Sequence, residues 1–220
     1  SQVGWELYRQ FYKGYTVKHW KRHPRELAPS VCGRIPIRTN RDNRYLSESF
    51  QALPKDGYTS MFHRMLEAAG ENVTVQLNTS FEEARQSVSF RHLVYTGPID
   101  AYFEHSLGEL PYRSLRFELE SFSPGQLEER AGEHGKPGFW QPFLQVNYPN
   151  DHDFTRIVEI KHATGQACGH TTIVREFPED FGPGKEPYYP IPSSDSEMLY
   201  KRYKNMAADE KNVSFVGRMA

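Results

Sequence analysis

Cysteine is nearly missing from this chain: Cys32 and Cys168 are the only two, too few for the disulfide framework of a small secreted domain. Long apolar runs are missing too, so the sequence predicts neither a signal peptide nor membrane insertion, and a cytoplasmic location is expected. The Asn-X-Ser/Thr triplets at Asn72, Asn78 and Asn212 are then read as chance. Neither charge sign dominates, since 27 Lys and Arg face 28 Asp and Glu. No global field draws the protein to nucleic acid or anionic lipid, and any anion site has to be local. The sequence also lacks G-x-S-x-G, a Walker loop and G-x-G-x-x-G, which removes a serine-nucleophile elbow, a P-loop and unaided dinucleotide binding by that route. A metal site is not expected, because His19 and His23 have no third ligand nearby and Pro24 breaks the turn.

What the chain does have is aromatic side chains: 13 Tyr, 14 Phe and 3 Trp. Rings with polar tips suit a site that stacks a planar ligand and hydrogen-bonds its edge, although an aromatic-rich core explains the same composition. Trp5, Tyr8, Phe11, Tyr12 and Tyr15 recur at helical spacing, predicting a helix that ends near Trp20. Pro24, Pro29, Gly33 and Pro36 then predict a long loop. Tyr58, Met61, Phe62, Met65, Leu66 and Ala69 form a second helical stripe, stopped by Gly70.

Beyond residue 70 the period changes to two. Val73, Val75 and Leu77 alternate with polar residues, and His92 to Tyr95 is a short apolar run. From Arg113 to Phe122, Leu115, Phe117 and Leu119 face one way while Arg116, Glu118 and Glu120 face the other. With one face wet, an antiparallel sheet is expected, extended by strands over Phe139 to Tyr148, Thr155 to His162 and Thr171 to Phe177. Ser194 is the expected N-cap of a last helix with Met198, Leu199, Tyr203 and Met206 on one face, leading into a strand over Val213 to Val216. The fold class read from this pattern is α+β.

Single residues give candidates with ordinary alternatives beside them. Arg34 on the loop could close over an anion, or be a solvated surface arginine. Arg156, inside a predicted strand, needs a partner or a ligand, and a salt bridge to a carboxylate such as Glu118 or Glu159 would satisfy it. Tyr188-Tyr189-Pro190 is extended and presents two phenols.

The order of these segments resembles the UDP-galactopyranose mutase family. The matching stretches are Tyr12-Lys13-Gly14-Tyr15-Thr16 with Lys18 and Trp20, Ser30-Val31, Gly33-Arg34-Ile35-Pro36, Arg44-Tyr45, Gly57-Tyr58 and Met61-Phe62. They continue with Tyr95-Thr96-Gly97-Pro98-Ile99-Asp100, Tyr112-Arg113-Ser114-Leu115, Val146-Asn147-Tyr148, Thr155-Arg156-Ile157, Glu186 to Ile191 and Phe215-Val216-Gly217-Arg218. The resemblance implies a helical domain over residues 1–71 with a mobile loop at about 23–38, and a flavin-domain segment over 72–100. It further implies an antiparallel sheet domain over 101–178 and a return to the flavin domain over 179–220. In the full-length family the flavin domain is α/β; here it would be incomplete.

The resemblance also implies an activity, the interconversion of UDP-galactopyranose and UDP-galactofuranose through a sugar adduct at N5 of reduced FAD, in support of galactofuranose-containing surface polysaccharide. Arg34 and Arg156 would grip the diphosphate as the catalytic cations. Phe11, Tyr15, Thr16, Trp20 and Asn147 would hold the uridine, with Tyr45 and Tyr189 as phosphate donors and Arg218 and Pro98 against the cofactor. Since the glycine-rich dinucleotide loop is missing, the expectation is an inactive fragment that does not retain FAD, with a homodimer left open. A stand-alone UDP-sugar-binding module and a flavin amine-oxidase relative are the competing readings; two diphosphate-gripping arginines have no reason to exist in the latter.

Overall fold

A computed structural model describes residues 3–29, 31, 38–42, 44, 47–134 and 136–218. Its first element is one helical rod made of α1 (Trp5–Leu7), a π-helical stretch (Tyr8–Lys13) and α2 (Gly14–Trp20). The rod ends at Trp20 because Lys21 turns left-handed at φ 53°, which breaks the helical repeat. The proline-rich loop begins with a short 3-10 turn at Pro24–Glu26, and most of the stretch 30–37 lies outside the described residues. Helix α3 (Gly57–Ala69) stops at Gly70, φ +57°, and α4 (Phe81–Ser87) starts on a reciprocal Ser80/Glu83 capping box.

The central feature is a five-stranded antiparallel sheet in the order β3 (Gln145–Asn147), β4 (Arg156–Glu159), β5 (Thr171–Asp180), β2 (Tyr112–Phe122), β6 (Tyr189–Pro190). A separate parallel pair joins β1 (Leu93–Tyr95) to β7 (Val213–Phe215). The expected strand over residues 139–148 is confined to β3. The amides of Trp140 and Gln141 donate instead to the Glu159 carboxylate, each at 3.0 Å, so they are not available to a ladder. Val73 to Leu77 form no strand: their alternation meets no pairing partner among the described residues, and all three apolar side chains are exposed.

Among the described residues, packing is divided among three small cores. Phe122, Leu127, Ile157 and Ile173 form one, between the sheet and α6 (Pro124–His134), with Trp140, Tyr148 and Phe154 at its edge. Ile99, Leu110, Tyr112 and Tyr203 form a second under α8 (Ser194–Asp209), the intervening short helices being α5 (Ile99–Tyr102) and α7 (Lys161–Thr164). The third holds Trp20, Leu27 and Ile191. Each fully buried apolar side chain contributes about 1.5–3 kcal/mol.

Three expectations change here. The N-cap of α8 is Ser193, whose hydroxyl accepts from the Ser196 amide, one residue ahead of Ser194. On that helix Tyr203, Leu199 and Met206 pack inward whereas Met198 is exposed. On β2 the apolar face is the open one. Leu119 is 71% exposed and Phe117 is exposed as well, while the opposite face contributes Phe122 to the core. In the middle of that opposite face, Arg116 pairs with Glu118 and Glu179, and Arg175 with Glu120. The sheet therefore buries its ends more than its centre. The apolar stripe of α3 is likewise exposed at Tyr58, Phe62, Met65 and Leu66.

Candidate functional site

Directly opposed residues on antiparallel strands share a face. The register Arg156↔Glu176, Asn147↔Arg156 and Phe117↔Glu176 therefore puts Asn147, Arg156, Glu176, Phe117 and Leu119 on one side of the sheet. Helix α2 lies over that side.

Its docking is specific. Lys18 donates to the carbonyls of Tyr148 at 2.5 Å, Asp151 at 2.8 Å and Phe154 at 3.1 Å, gathering the loop between β3 and β4. Burial pushes the Lys18 ammonium below its usual value, with Asp151 and Asp153 opposing. Gly14 allows close approach, since a Cβ there would meet Asn150 Oδ1 at 2.2 Å and the Pro149 carbonyl at 2.6 Å. Asn150 Nδ2 in turn donates to the Gln10 carbonyl at 2.9 Å, inside the π-helical stretch.

So held, α2 brings Tyr15 to Arg156, whose Nη2 donates to the phenol oxygen at 2.5 Å. Arg156 Nε lies 3.2 Å from Glu176 Oε1, and Nη1 donates at a long 3.4 Å to Gln145 Oε1. Gln145 Nε2 donates to Asn147 Oδ1 at 3.0 Å. The partner of Arg156 is thus Glu176, neither Glu118 nor Glu159, because both of those point to the other face of the sheet. Desolvation raises the Glu176 carboxyl above its ordinary value, against the pull of Arg156 and the Thr155 hydroxyl. It also raises the Tyr15 phenol, opposed by Arg156. Both groups are poised in a partly dry site where a cation counts for more than in water.

The other end of the site is aromatic. His19, which is buried, stacks on Tyr15 at 5.9 Å, meets Trp20 edge-on at 4.8 Å and touches Tyr189 at 5.1 Å. Arg218 lies over the Tyr189 ring at 5.0 Å. Thr16 is buried on the same helix. Phe11 is 58% exposed and lies four residues before Tyr15. Pro98 caps α5 just after β1, and the Val216 amide bonds to the Tyr95 carbonyl at 3.0 Å, so Pro98 and Arg218 follow the ends of the same strand pair.

Tyr15, Trp20, Asn147, Arg156, Tyr189 and Arg218 are therefore gathered around one face, and Arg34 and Tyr45 lie outside the described residues. Glu176 and Gln145 were not foreseen, and His19 was weighed only as a metal ligand. Glu176 carried no local signal, because its meeting with Arg156 is fixed by the β4–β5 register. Among the described residues no group of three or more His, Cys, Asp or Glu is placed to hold a metal, and no helix is long and apolar enough to cross a membrane.

An arginine held by a phenol and a carboxylate beside stacked rings suits a nucleoside diphosphate, and residues 10–220 match the family model for UDP-galactopyranose mutase. The chain belongs to the UDP-galactopyranose mutase family. It is 35% identical over 99% of its length to a probable UDP-galactopyranose mutase of Klebsiella pneumoniae, and covers 53% of that protein. Identity is 30% to the dTDP-fucopyranose mutase of Escherichia coli, with 99% of this chain and 56% of the relative covered. It is again 30% to the UDP-galactopyranose mutase of Mycoplasma pneumoniae, with 95% and 53% covered. The chain spans about half the length of these mutases. A crystal structure of reduced UDP-galactopyranose mutase superposes with a TM-score of 0.60 over 91% of this chain and 57% of its own, at 15% identity, which supports the α+β fold.

Proposed function

We propose that this chain forms the nucleotide-sugar side of a UDP-galactopyranose mutase, an isomerase interconverting UDP-galactopyranose and UDP-galactofuranose. The observation that carries this is Arg156, fixed between Tyr15 and Glu176 beneath the aromatic helix α2. Tyr15, Thr16 and Trp20 with Phe11 and Asn147 take the uridine, while Arg156 and Tyr189 face the diphosphate, joined by Arg34 and Tyr45. When UDP leaves the anomeric carbon, negative charge grows on the diphosphate. A guanidinium already held in place stabilises that charge without reorganising.

The flavin that the family resemblance implies fits only at one corner of the described residues. The ends of parallel strands are where dinucleotides sit, and here they carry Thr96-Gly97-Pro98 and Gly217-Arg218, with Gly217 at φ +126°. The rest does not fit, because no glycine-rich turn is present to receive a pyrophosphate at a helix N-terminus. We therefore assign this chain the substrate and not the flavin, and expect the purified protein to be colourless.

Calorimetric titration tests the site. UDP and UMP should both bind, Tyr15→Ala should weaken both, and Arg156→Met should weaken UDP and inorganic pyrophosphate by about 10- to 100-fold, as loss of a positioned charged donor does. Unchanged pyrophosphate affinity in Arg156→Met would place the diphosphate elsewhere.

A further inference from the structure

Arg113 makes none of the ligand contacts assigned so far, yet it stands where the site-bearing elements meet. On β2 it is directly opposite Tyr189 of β6 and Asp180 of β5. Strand alternation puts its side chain on the same sheet face as Arg156 and Glu176. The residue is 1% exposed. Its Nε donates to the His19 carbonyl at 3.0 Å, its Nη1 pairs with Asp180, and its Nη2 is buried without an acceptor among the described residues.

The His19 carbonyl belongs to the last turn of α2, where carbonyls lack intrahelical partners and a cation is favoured. A buried guanidinium that holds this one carbonyl fixes how far α2 stands from the sheet. It also fixes how the helix is turned, because its hydrogen-bonding direction is rigid. His19 touches Tyr15 and Trp20 of its own helix, so both rings inherit that placement, whereas Tyr189 is held by the backbone pairing of β6 with β2. Arg156 meets that helix through the Tyr15 phenol and is held from the sheet as well, by Glu176 of β5 at 3.2 Å, while β4 reaches β2 only through β5.

We propose that Arg113 is the positioning residue of the nucleoside pocket: through the His19 carbonyl it sets the spacing of Tyr15 and Trp20 over the sheet, and so controls affinity for the nucleoside part of the ligand and not for its diphosphate. A lysine at this position keeps the charge and discards the unmatched Nη2 donor, but cannot hold the His19 carbonyl and Asp180 in one fixed plane. Arg113→Lys therefore separates placement from stability.

The inference rests on the proposed function, and titrations of the same chain with UDP, UMP and inorganic pyrophosphate keep the two apart. Arg113→Lys should unfold within a few degrees of the parent protein and bind UDP and UMP about tenfold more weakly, the loss expected when one charged hydrogen bond is displaced. Pyrophosphate should bind as before. Asp180→Ala is a second variant at a side chain that is 86% exposed, so it should fold. By releasing one side of the guanidinium it should weaken UMP about 2- to 3-fold, a fraction of the effect of losing the bond outright. UMP affinity unchanged in both variants, or equal loss of all three ligands in Arg113→Lys, overturns the role of Arg113. If the parent chain binds none of the three ligands, the proposed function itself falls, and this inference with it.

Discussion

Glu159 is 0% exposed and faces away from the site, on the side of the sheet opposite Arg156. Oε1 accepts from the Trp140 amide at 3.0 Å and the Thr171 hydroxyl at 2.6 Å, and Oε2 accepts from the Gln141 amide at 3.0 Å. His162 Nε2 stands 3.4 Å from Oε2. Glu159→Ala leaves those donors inside the fold with nothing to receive them, and each unsatisfied buried donor costs about 1–3 kcal/mol. Some relaxation of residues 139–144 will recover part of this, so the expected loss is about 3–5 kcal/mol, the lower part of the sum over the three donors. In a chain of this length, each kcal/mol moves Tm by about 2–4 °C, and a fall of roughly 10 °C should be seen by circular dichroism. Trp140, stacked on Phe122 at 3.8 Å, should report the same change as a red-shifted emission. UDP affinity measured well below the new midpoint should be unaltered. A Tm within about 2 °C of the parent, equivalent to at most about 1 kcal/mol, would show that Glu159 does not hold residues 139–141 to β4.

Gly14→Ala should push α2 off the Pro149-Asn150 turn, given the 2.2 Å and 2.6 Å contacts its Cβ would make. The expected cost is about 1–3 kcal/mol with weaker UDP binding, and a UDP titration matching the parent would refute the docking account. Glu176 has a raised folded pKa, caused first by desolvation. The stability it contributes is therefore complete below the unfolded value of about 4.3 and is lost as pH rises through the folded one. Denaturant unfolding of Glu176→Gln from pH 4 to 8 should lack that fall, and identical pH profiles for the two proteins would refute it.

The end of α2 at Trp20, the stop at Gly70 and the antiparallel sheet were legible because they depend on local signals: period, caps and alternation. Which face of β2 meets the core was not. Leu115, Phe117 and Leu119 repeat every second residue, but alternation gives a period and no direction, and the core instead takes Phe122, Ile157 and Ile173 from the other side. Val73 to Leu77 show the same limit, since an alternating run becomes a strand only when something pairs with it. Within the site, Tyr15, Trp20, Asn147 and Arg156 were named through the order of segments along the chain. Glu176 was invisible to that reasoning, because its meeting with Arg156 is fixed by the β4–β5 register, which no local signal carries. Arg113 hid for a related reason: it stood only within a matching stretch, and its bond to the His19 carbonyl depends on where the end of α2 comes to rest.

The π-helical stretch Tyr8–Lys13 decides which way the two ends of the rod face. A π turn holds one residue more than the α turn it replaces, so a residue inserted there is absorbed within the turn. Were it instead passed along a regular helix, everything on one side of it would rotate by about 100°, and Tyr15 would face away from Arg156. The bulge confines the change to the part of the rod before Gly14, where the Gln10 carbonyl accepts a hydrogen bond from Asn150. Tyr15, His19 and Trp20 therefore keep regular α-helical spacing from Gly14 onward, whatever the turn before them holds.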